Sequence, residues 1–131
     1  MNLFLKNPDE HSGKEFYIVS VLHTKRSAYY ITFWRPGNKG YALPLSWAGK
    51  YGRDTVLGNL GYYNQGIGAL AVDAVAIEKI AVDPKPGIID GNAGPVVTNT
   101  KKSWDVILAN IIQKPTNEPR PQYRGAPRLT V

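Results

Sequence analysis

The 131-residue chain contains no cysteine. This absence excludes disulfides, thiolate metal sites and cysteine nucleophiles together, and it is in keeping with a reducing compartment. The chain also lacks any run of about 18 apolar residues that would span a bilayer. Its first ten residues, MNLFLKNPDE, carry too short an apolar run, and acids too early, for a signal peptide. We therefore expect a soluble protein, located in the cytoplasm and without a membrane partner.

The motifs of common enzymes and metal sites are absent as well. The two histidines, His11 and His23, have no second ligand at the spacing of a zinc helix. Neither Ser20 nor Ser46 lies in a G-x-S-x-G context, and no glycine-rich phosphate-binding motif occurs. We expect no metal, no cofactor and no enzymatic activity. Carboxylates that meet only in space would escape this test, so a hydrolase with a carboxylate pair stays open.

Charge is unevenly distributed along the chain, which has a net charge of +6. Residues 16–53 carry six cations and no acid, residues 54–112 are net acidic, and residues 113–131 are again basic. Such a distribution permits contact with nucleic acid, a nucleotide or an acidic protein surface. Solubility alone is the alternative explanation.

Aromatic residues are concentrated in the same region, because seven of the 14 fall within residues 28–51. A segment that is aromatic, basic and free of carboxylates is either a core hairpin with a cationic rim or a surface that receives a flat or anionic ligand. The sequence leaves both possibilities open.

The pattern of apolar residues predicts an α+β fold in one domain. We expect a mainly antiparallel sheet of four to five strands with one or two helices packed on one face. The predicted strands are Asn2–Lys6, Glu15–His23, Ala28–Arg35, Gly40–Leu43 and Ile67–Val72, with a brief addition at Val96-Val97. The predicted helices are Ala74–Ala81, capped by Asp73, and one that begins after Asn99 or Thr100 and carries Trp104, Ile107, Leu108 and Ile111 on one face.

The remaining segments are predicted to be irregular. A turn at residues 35–38 closes a hairpin, and residues 47–51 make one short helical turn capped by Ser46. Residues 55–69 contain four glycines and no charge, which is typical of a functional flap or of a long loose loop. Residues 1–114 would form the globular domain, and the proline- and arginine-rich residues 115–131 a disordered basic tail.

Alternation along the second predicted strand gives it two faces. Tyr29, Ile31 and Phe33 are expected in the core, while Tyr30, Thr32 and Trp34 either form an open binding face or are buried as well. If that face is open, its aromatic rings and the nearby cations suit a stacked base and its phosphate. The candidate binding residues are Tyr30, Trp34, Arg35, Lys39, Lys50, Tyr62 and Tyr63.

Two short runs, ITFWRPGNKGYALPLSWAGKY at 31–51 and VVTNTKKSWDVIL at 96–108, carry a resemblance. The chain resembles small uncharacterised proteins encoded by bacteriophages and prophages. The matching positions are Trp34, Pro36, Asn38, Gly40, Tyr41, Asn99, Thr100 and Trp104. The resemblance implies a viral accessory protein that works in a bacterial host, and it assigns no catalytic residue.

From these observations we expect a non-enzymatic binding protein of phage type. It would inhibit a host protein, such as a defence factor, or sequester a small anionic, nucleotide-like signal. The alternative is a nucleic-acid-binding protein that uses the hairpin at residues 28–51 and the basic tail. Oligomeric state does not follow from the sequence.

Overall fold

The computed structural model describes residues 13–89 and 93–128, in which five strands form an antiparallel sheet accompanied by four α-helices. The strands are β1 (Glu15–Ser20), β2 (Phe33–Trp34), β3 (Tyr41–Ala42), β4 (Lys50–Gly52) and β5 (Ala69–Asp73). The helices are α1 (Arg53–Leu57), α2 (Leu60–Tyr63), α3 (Ala74–Lys79) and α4 (Lys101–Ala109). The predicted α+β class is confirmed.

Strand β1 is the centre of the sheet. Along one edge it pairs with β5 from Phe16 to Ser20. Along the other edge it pairs first with β4, through Glu15 to Tyr17, and then with β2, where Val19 faces Phe33. Strand β3 pairs only with β2 and lies outermost on this path. The β-branched and aromatic residues of β1 suit a strand that has neighbours on both edges.

The two faces of the sheet support separate core clusters, because successive side chains of a strand point to opposite faces. Tyr17 and Val19 pack with residues of α3 and α4. Phe16 and Ile18 pack with residues of α1 and α2. The two helices predicted from sequence thus share one face, and two further short helices cover the other.

The caps predicted for α3 and α4 are present. The side chain of Asp73 accepts a hydrogen bond from the backbone N–H of Val75 at 3.2 Å. Thr100 does the same for Ser103 at 3.2 Å. Each cap satisfies a backbone donor that the first helical turn leaves without an intrahelical partner.

The predicted strand Ala28–Arg35 is wrong in its first part, since β2 contains only Phe33 and Trp34. Tyr30 makes an isolated bridge to Thr98 and is 4% exposed, while Tyr29 is 62% exposed. The alternation predicted for this segment therefore fails, because it requires a regular strand. The Thr24 hydroxyl replaces one of the backbone acceptors that a neighbouring strand would provide, since it accepts a hydrogen bond from the N–H of Thr32 at 3.0 Å.

Two other segments differ from prediction. Residues 45–47 form a turn without a helix, and the chain then enters β4 at Lys50. Residues 55–69, predicted to be a functional flap or a long loose loop, contain part of α1 and all of α2. Burial of Val56 and Tyr63 against the sheet stabilises these short helices in spite of their glycines.

The structure also differs from the predicted disordered tail. Residues 115–128 contain no helix or strand, yet they pack on the domain. The backbone N–H of Asn117 donates to Gln65 O at 2.9 Å. Tyr123 packs against the core cluster of α3 and α4, and Ala126 is buried. The predicted strand Asn2–Lys6 and His11 lie outside the described residues.

Docking of the tail depends on Gly66, whose φ is +101°. A Cβ built on Gly66 would lie 1.9 Å from the carbonyl oxygen of Asn117. We expect Gly66→Ala to displace the tail and to speed trypsin cleavage after Arg124, because a released segment fits the protease active site more readily than a turn anchored on the domain. Lys114 and Arg120 precede prolines and resist that protease. Limited trypsin digestion followed by mass spectrometry measures the release.

The matched control for Gly66→Ala is Gly87→Ala. Gly87 has a φ of +86°, and a Cβ there meets nothing within 4 Å. Both substitutions carry backbone strain of about 1–3 kcal/mol, but only the first opposes the tail. Equal rates of cleavage after Arg124 in the two variants would contradict the docking.

A buried amide, Asn99, ties the irregular segment to α4. Its Oδ1 accepts from the indole Nε1 of Trp104 at 2.7 Å. Its Nδ2 donates to the carbonyl oxygens of Lys25 and Ala28, each at 3.1 Å.

We expect Asn99→Ala to lower the free energy of unfolding by roughly 1–3 kcal/mol, because it leaves the buried Trp104 donor without its acceptor. Chemical denaturation measures the loss. Asn59→Ala is the control, since Asn59 precedes α2 without a side-chain capping bond. A comparable loss in both variants would show that the Asn99 network is not responsible.

Candidate functional site

The seven residues predicted to bind a ligand do not form one surface. Three of them, Trp34, Tyr62 and Tyr63, meet in an aromatic cluster. Arg35 lines a separate pocket, and Lys39 lies exposed in the hairpin loop. Lys50 is in an ion pair, and Tyr30 is buried with its hydroxyl accepting from the backbone N–H of Lys85 at 2.9 Å. The structure brings together only part of the predicted set.

The aromatic cluster consists of Trp34, Tyr51, Tyr62 and Tyr63. The ring centroids of Trp34 and Tyr62 are 5.2 Å apart at an interplanar angle of 66°, and those of Tyr62 and Tyr63 are 5.0 Å apart at 71°. Such edge-to-face contacts stabilise cores. Tyr51 and Tyr63 are buried, and both hydroxyls contact Asn38 of the hairpin loop. The cluster therefore holds the hairpin against α2.

Lys50 belongs to a polar network with Glu78 and Tyr17. The Tyr17 hydroxyl donates to Glu78 Oε2 at 2.7 Å, and Lys50 Nζ lies 2.9 Å from the same oxygen. Burial, reinforced by Glu78, raises the pKa of the Tyr17 hydroxyl well above its ordinary value. The hydrogen bond to Glu78 also raises the pKa of Lys50. At neutral pH the Tyr17 hydroxyl and the Lys50 ammonium therefore keep their protons, and through Glu78 the network joins β1, β4 and α3.

The Glu78 carboxyl has a lowered pKa. Burial acts to raise that pKa, but the hydrogen bonds from Tyr17 and Lys50 outweigh it and hold the pKa below the ordinary value of 4.5. A depressed folded-state pKa contributes stability that is complete above the unfolded-state pKa and is lost as pH falls through the folded-state pKa.

We therefore expect Glu78→Gln to lower the melting temperature at pH 7 and to lower it less at pH 3. Thermal unfolding at the two pH values measures the difference. The control is Asp105→Asn, which breaks the exposed pair of Asp105 with Lys101 and should have little effect at either pH. A drop that is the same at pH 7 and pH 3 would contradict the role assigned to the carboxylate.

A concave site lies beside the hairpin, and we call it the aromatic pocket. Its volume is about 460 Å³. It is lined by His23, Thr32, Arg35, Tyr41, Ala42, Leu43, Pro44, Trp47, Ile89 and Ala93. Apolar and aromatic groups predominate among the described residues of this lining, and Arg35 is the one permanently charged side chain among them.

Arg35 is fixed in the aromatic pocket by two contacts. Its guanidinium carbon lies 5.2 Å from the ring centroid of Trp47, within the range of a cation–π interaction. Its Nε donates to the carbonyl oxygen of Tyr41 at 2.9 Å. The Trp47 and Tyr41 side chains remain 49% and 45% exposed. The pocket thus presents two half-open aromatic rings beside a positioned cation.

His23 forms another wall of the aromatic pocket. Its ring lies 4.2 Å from that of Tyr41, at an interplanar angle of 33°. Its Nδ1 is 3.0 Å from Ser20 Oγ, and the same oxygen accepts from the His23 backbone N–H at 3.2 Å. Ser20 is 1% exposed, so this pair cannot present a nucleophile to a substrate. It orients the imidazole.

The loop that carries Trp47 is held tightly in place. The Gly49 N–H donates to Trp34 O at 2.9 Å, and a Cβ on Gly49 would lie 2.7 Å from the Cα of Pro36. Only glycine permits this approach of the loop to the hairpin. Ser46 donates to Ala93 O, which fixes the other side of the loop. These contacts place Trp47 next to Arg35.

Sequence reasoning missed Trp47, Tyr41 and His23 as members of one site. Trp47 was placed on a helical turn, and no periodic pattern connects it with Arg35. The available signal was an arginine before Pro36 together with the glycine at position 49. This pair indicates a site only once the loop at Gly49 is known to pack against the hairpin at Pro36.

Metal and membrane features are absent from the part of the chain that the structure describes. Among residues 13–89 and 93–128 there is no group of three or more histidine, aspartate or glutamate side chains placed to hold a metal ion. No helix among these residues combines the length and apolar character needed to cross a bilayer. Comparison with protein-family models, with curated proteins and with solved structures gave no match.

Proposed function

We propose that this chain is a non-enzymatic binding protein whose aromatic pocket captures a small, flat, anionic ligand such as a nucleotide. The observation that carries the proposal is the position of Arg35, held over Trp47 and tied to Tyr41 O at the edge of half-exposed aromatic rings. A planar group can stack on these rings while an attached anion contacts the guanidinium.

The size and lining of the aromatic pocket support this class of ligand. Small-molecule sites typically occupy roughly 300–1,000 Å³ and combine an apolar lining with a few placed polar groups. The volume of about 460 Å³ falls in that range. Of the Arg35 donors, Nε is engaged by Tyr41 O, whereas the terminal N–H groups form no hydrogen bond with the described residues. They are therefore available to an anionic group.

The biological setting of this activity is part of the same proposal. A protein that only sequesters a nucleotide-like signal needs no catalytic group, and the burial of Ser20 supports a role without catalysis. The phage resemblance of the sequence suggests that the ligand is a signal of a bacterial host, captured in the host cytoplasm. The alternative within this proposal is that the same exposed rings bind a host protein and inhibit it.

Isothermal titration calorimetry with adenosine, AMP and cyclic dinucleotides tests the proposal. We expect AMP or a cyclic dinucleotide to bind more tightly than uncharged adenosine. Trp47→Ala should weaken binding about tenfold or more, because base stacking is worth on the order of 1–3 kcal/mol. Arg35→Gln should reduce the affinity for AMP toward that for adenosine.

Two matched variants control this experiment. Tyr62→Ala removes a half-exposed ring from the aromatic cluster, and Lys39→Gln removes a cation from the same hairpin loop, but neither residue lines the aromatic pocket. Absence of binding in the wild type, or equal losses in test and control variants, would refute the proposal. A steep loss of affinity with salt for oligonucleotides alone would favour a nucleic-acid binder instead.

A further inference from the structure

A second cavity, here called the basic cleft, lies between residues 26–30 and the docked tail. Its volume is about 340 Å³. It is lined by Arg26, Ser27, Ala28, Tyr29, Tyr30, Val82, Asp83, Lys85, Thr98, Asn99, Thr100 and Arg124. The two cavities share no lining residue within the described part of the chain, so the two sites can be tested separately.

The tail contributes directly to the basic cleft. The backbone N–H of Ala126 donates to Tyr123 O at 2.9 Å, which closes a turn with Arg124 in a central position. Both ends of this turn are anchored, because Tyr123 packs on the core and Ala126 is buried. A guanidinium N–H of Arg26 also donates to the carbonyl oxygen of Ala126. These contacts place Arg124 at the same cleft as Arg26, which is almost a hundred positions earlier in the sequence.

The charge of the basic cleft is predominantly positive. Of the described residues that line it, Arg26, Lys85 and Arg124 are cations and Asp83 is the one acid. An adjoining cavity is lined by Lys25, Ser27 and the same two arginines. Among the described residues, none of these four cations forms an ion pair. Gathering like charges in one concave site is unfavourable unless an anion offsets their repulsion.

The walls of the basic cleft are fixed before any ligand arrives. Asn99 holds the carbonyl groups of Lys25 and Ala28, and the Tyr30 hydroxyl holds the backbone of Lys85. Tyr29 offers an exposed ring at the same cleft. Cations on a preorganised frame lose little freedom when an anion binds.

We propose that the basic cleft binds the phosphate group of a phosphorylated ligand, with Arg26, Lys85 and Arg124 as its cationic contacts. Guanidinium groups match phosphate oxygens with paired hydrogen bonds, and Lys85 adds a point charge. The docked tail completes the site, because it supplies Arg124 and positions Arg26 through Ala126. This proposal does not depend on the aromatic pocket.

Titration of the full-length protein with inorganic pyrophosphate, followed by amide NMR shifts, tests the proposal. We expect saturable shifts of the amide signals of Tyr29 and Lys85. Arg124→Gln should weaken pyrophosphate binding roughly tenfold or more, since hydrogen bonds to charged groups are stronger than neutral ones. Arg128→Gln is the matched control, because it removes the same charge from an exposed tail residue outside the basic cleft.

Further titrations identify the source of the phosphate and distinguish binding at the basic cleft from binding at the aromatic pocket. AMP and short single-stranded oligonucleotides with and without a 5′-phosphate distinguish a free nucleotide from a nucleic-acid end. Trp47→Ala should leave pyrophosphate binding unchanged. No saturable binding by the wild type, or an equal loss in Arg124→Gln and Arg128→Gln, would overturn the proposal. If Arg124→Gln alone weakens binding while its melting temperature is unchanged, the basic cleft is the site.

Discussion

The structure depends on β1, whose backbone is paired on both edges and whose side chains are buried on both faces. At Phe16 and Tyr17 this strand has β5 on one edge and β4 on the other, while at Val19 its second neighbour is β2. Two core clusters meet across it, one on each face. Because β2 and β4 pair with the same edge of β1, the chain turns from β2 into β3 and then leaves the sheet through residues 43–49 before it returns at Lys50. That excursion carries Trp47, and together with the hairpin it creates the aromatic pocket.

Side-chain hydrogen bonds replace a regular ladder where the sheet stops. In residues 24–32 the Thr24 hydroxyl and the Asn99 amide satisfy backbone groups that a continuous strand would have paired. Burial makes such replacement necessary, since an unpaired polar group away from water is costly. The same bonds hold the segment beside α4 and leave Tyr29 outside, at the basic cleft. The irregular backbone thus positions a cavity that a straight strand would have closed.

Local signals in the sequence predicted the elements whose formation depends on local chemistry. The apolar run of β1 and the caps at Asp73 and Thr100 gave β1, β5, α3 and α4 within a few residues.

Prediction failed where tertiary contacts decide the outcome. Tyr29 was assigned to the core on the assumption of a regular strand, and the glycines of residues 55–69 concealed two helices that burial of Val56 and Tyr63 stabilises. The tail has few apolar residues, but Tyr123 and Ala126 are enough to dock it. Among the predicted site residues, Arg35 lines the aromatic pocket, whereas Trp34 and Tyr63 mainly stabilise the fold.

Residue type alone does not show whether a side chain is available to a ligand or serves the fold, but the contacts of that side chain do. Lys50 and Arg35 are both cations of the aromatic segment, yet Glu78 neutralises the first, whereas the second rests on Trp47 and a carbonyl oxygen and forms no ion pair with any residue that the structure describes. Trp34 and Trp47 differ in the same way. Tyr62 and Tyr63 pack against the half-buried Trp34, whereas a cation and solvent border the ring of Trp47. An anion binds most favourably to a cationic side chain that is already positioned but not neutralised, because folding has already restricted the freedom of that side chain. On that physical ground we propose Arg35, and independently Arg26 with Arg124, as ligand-binding positions of this fold.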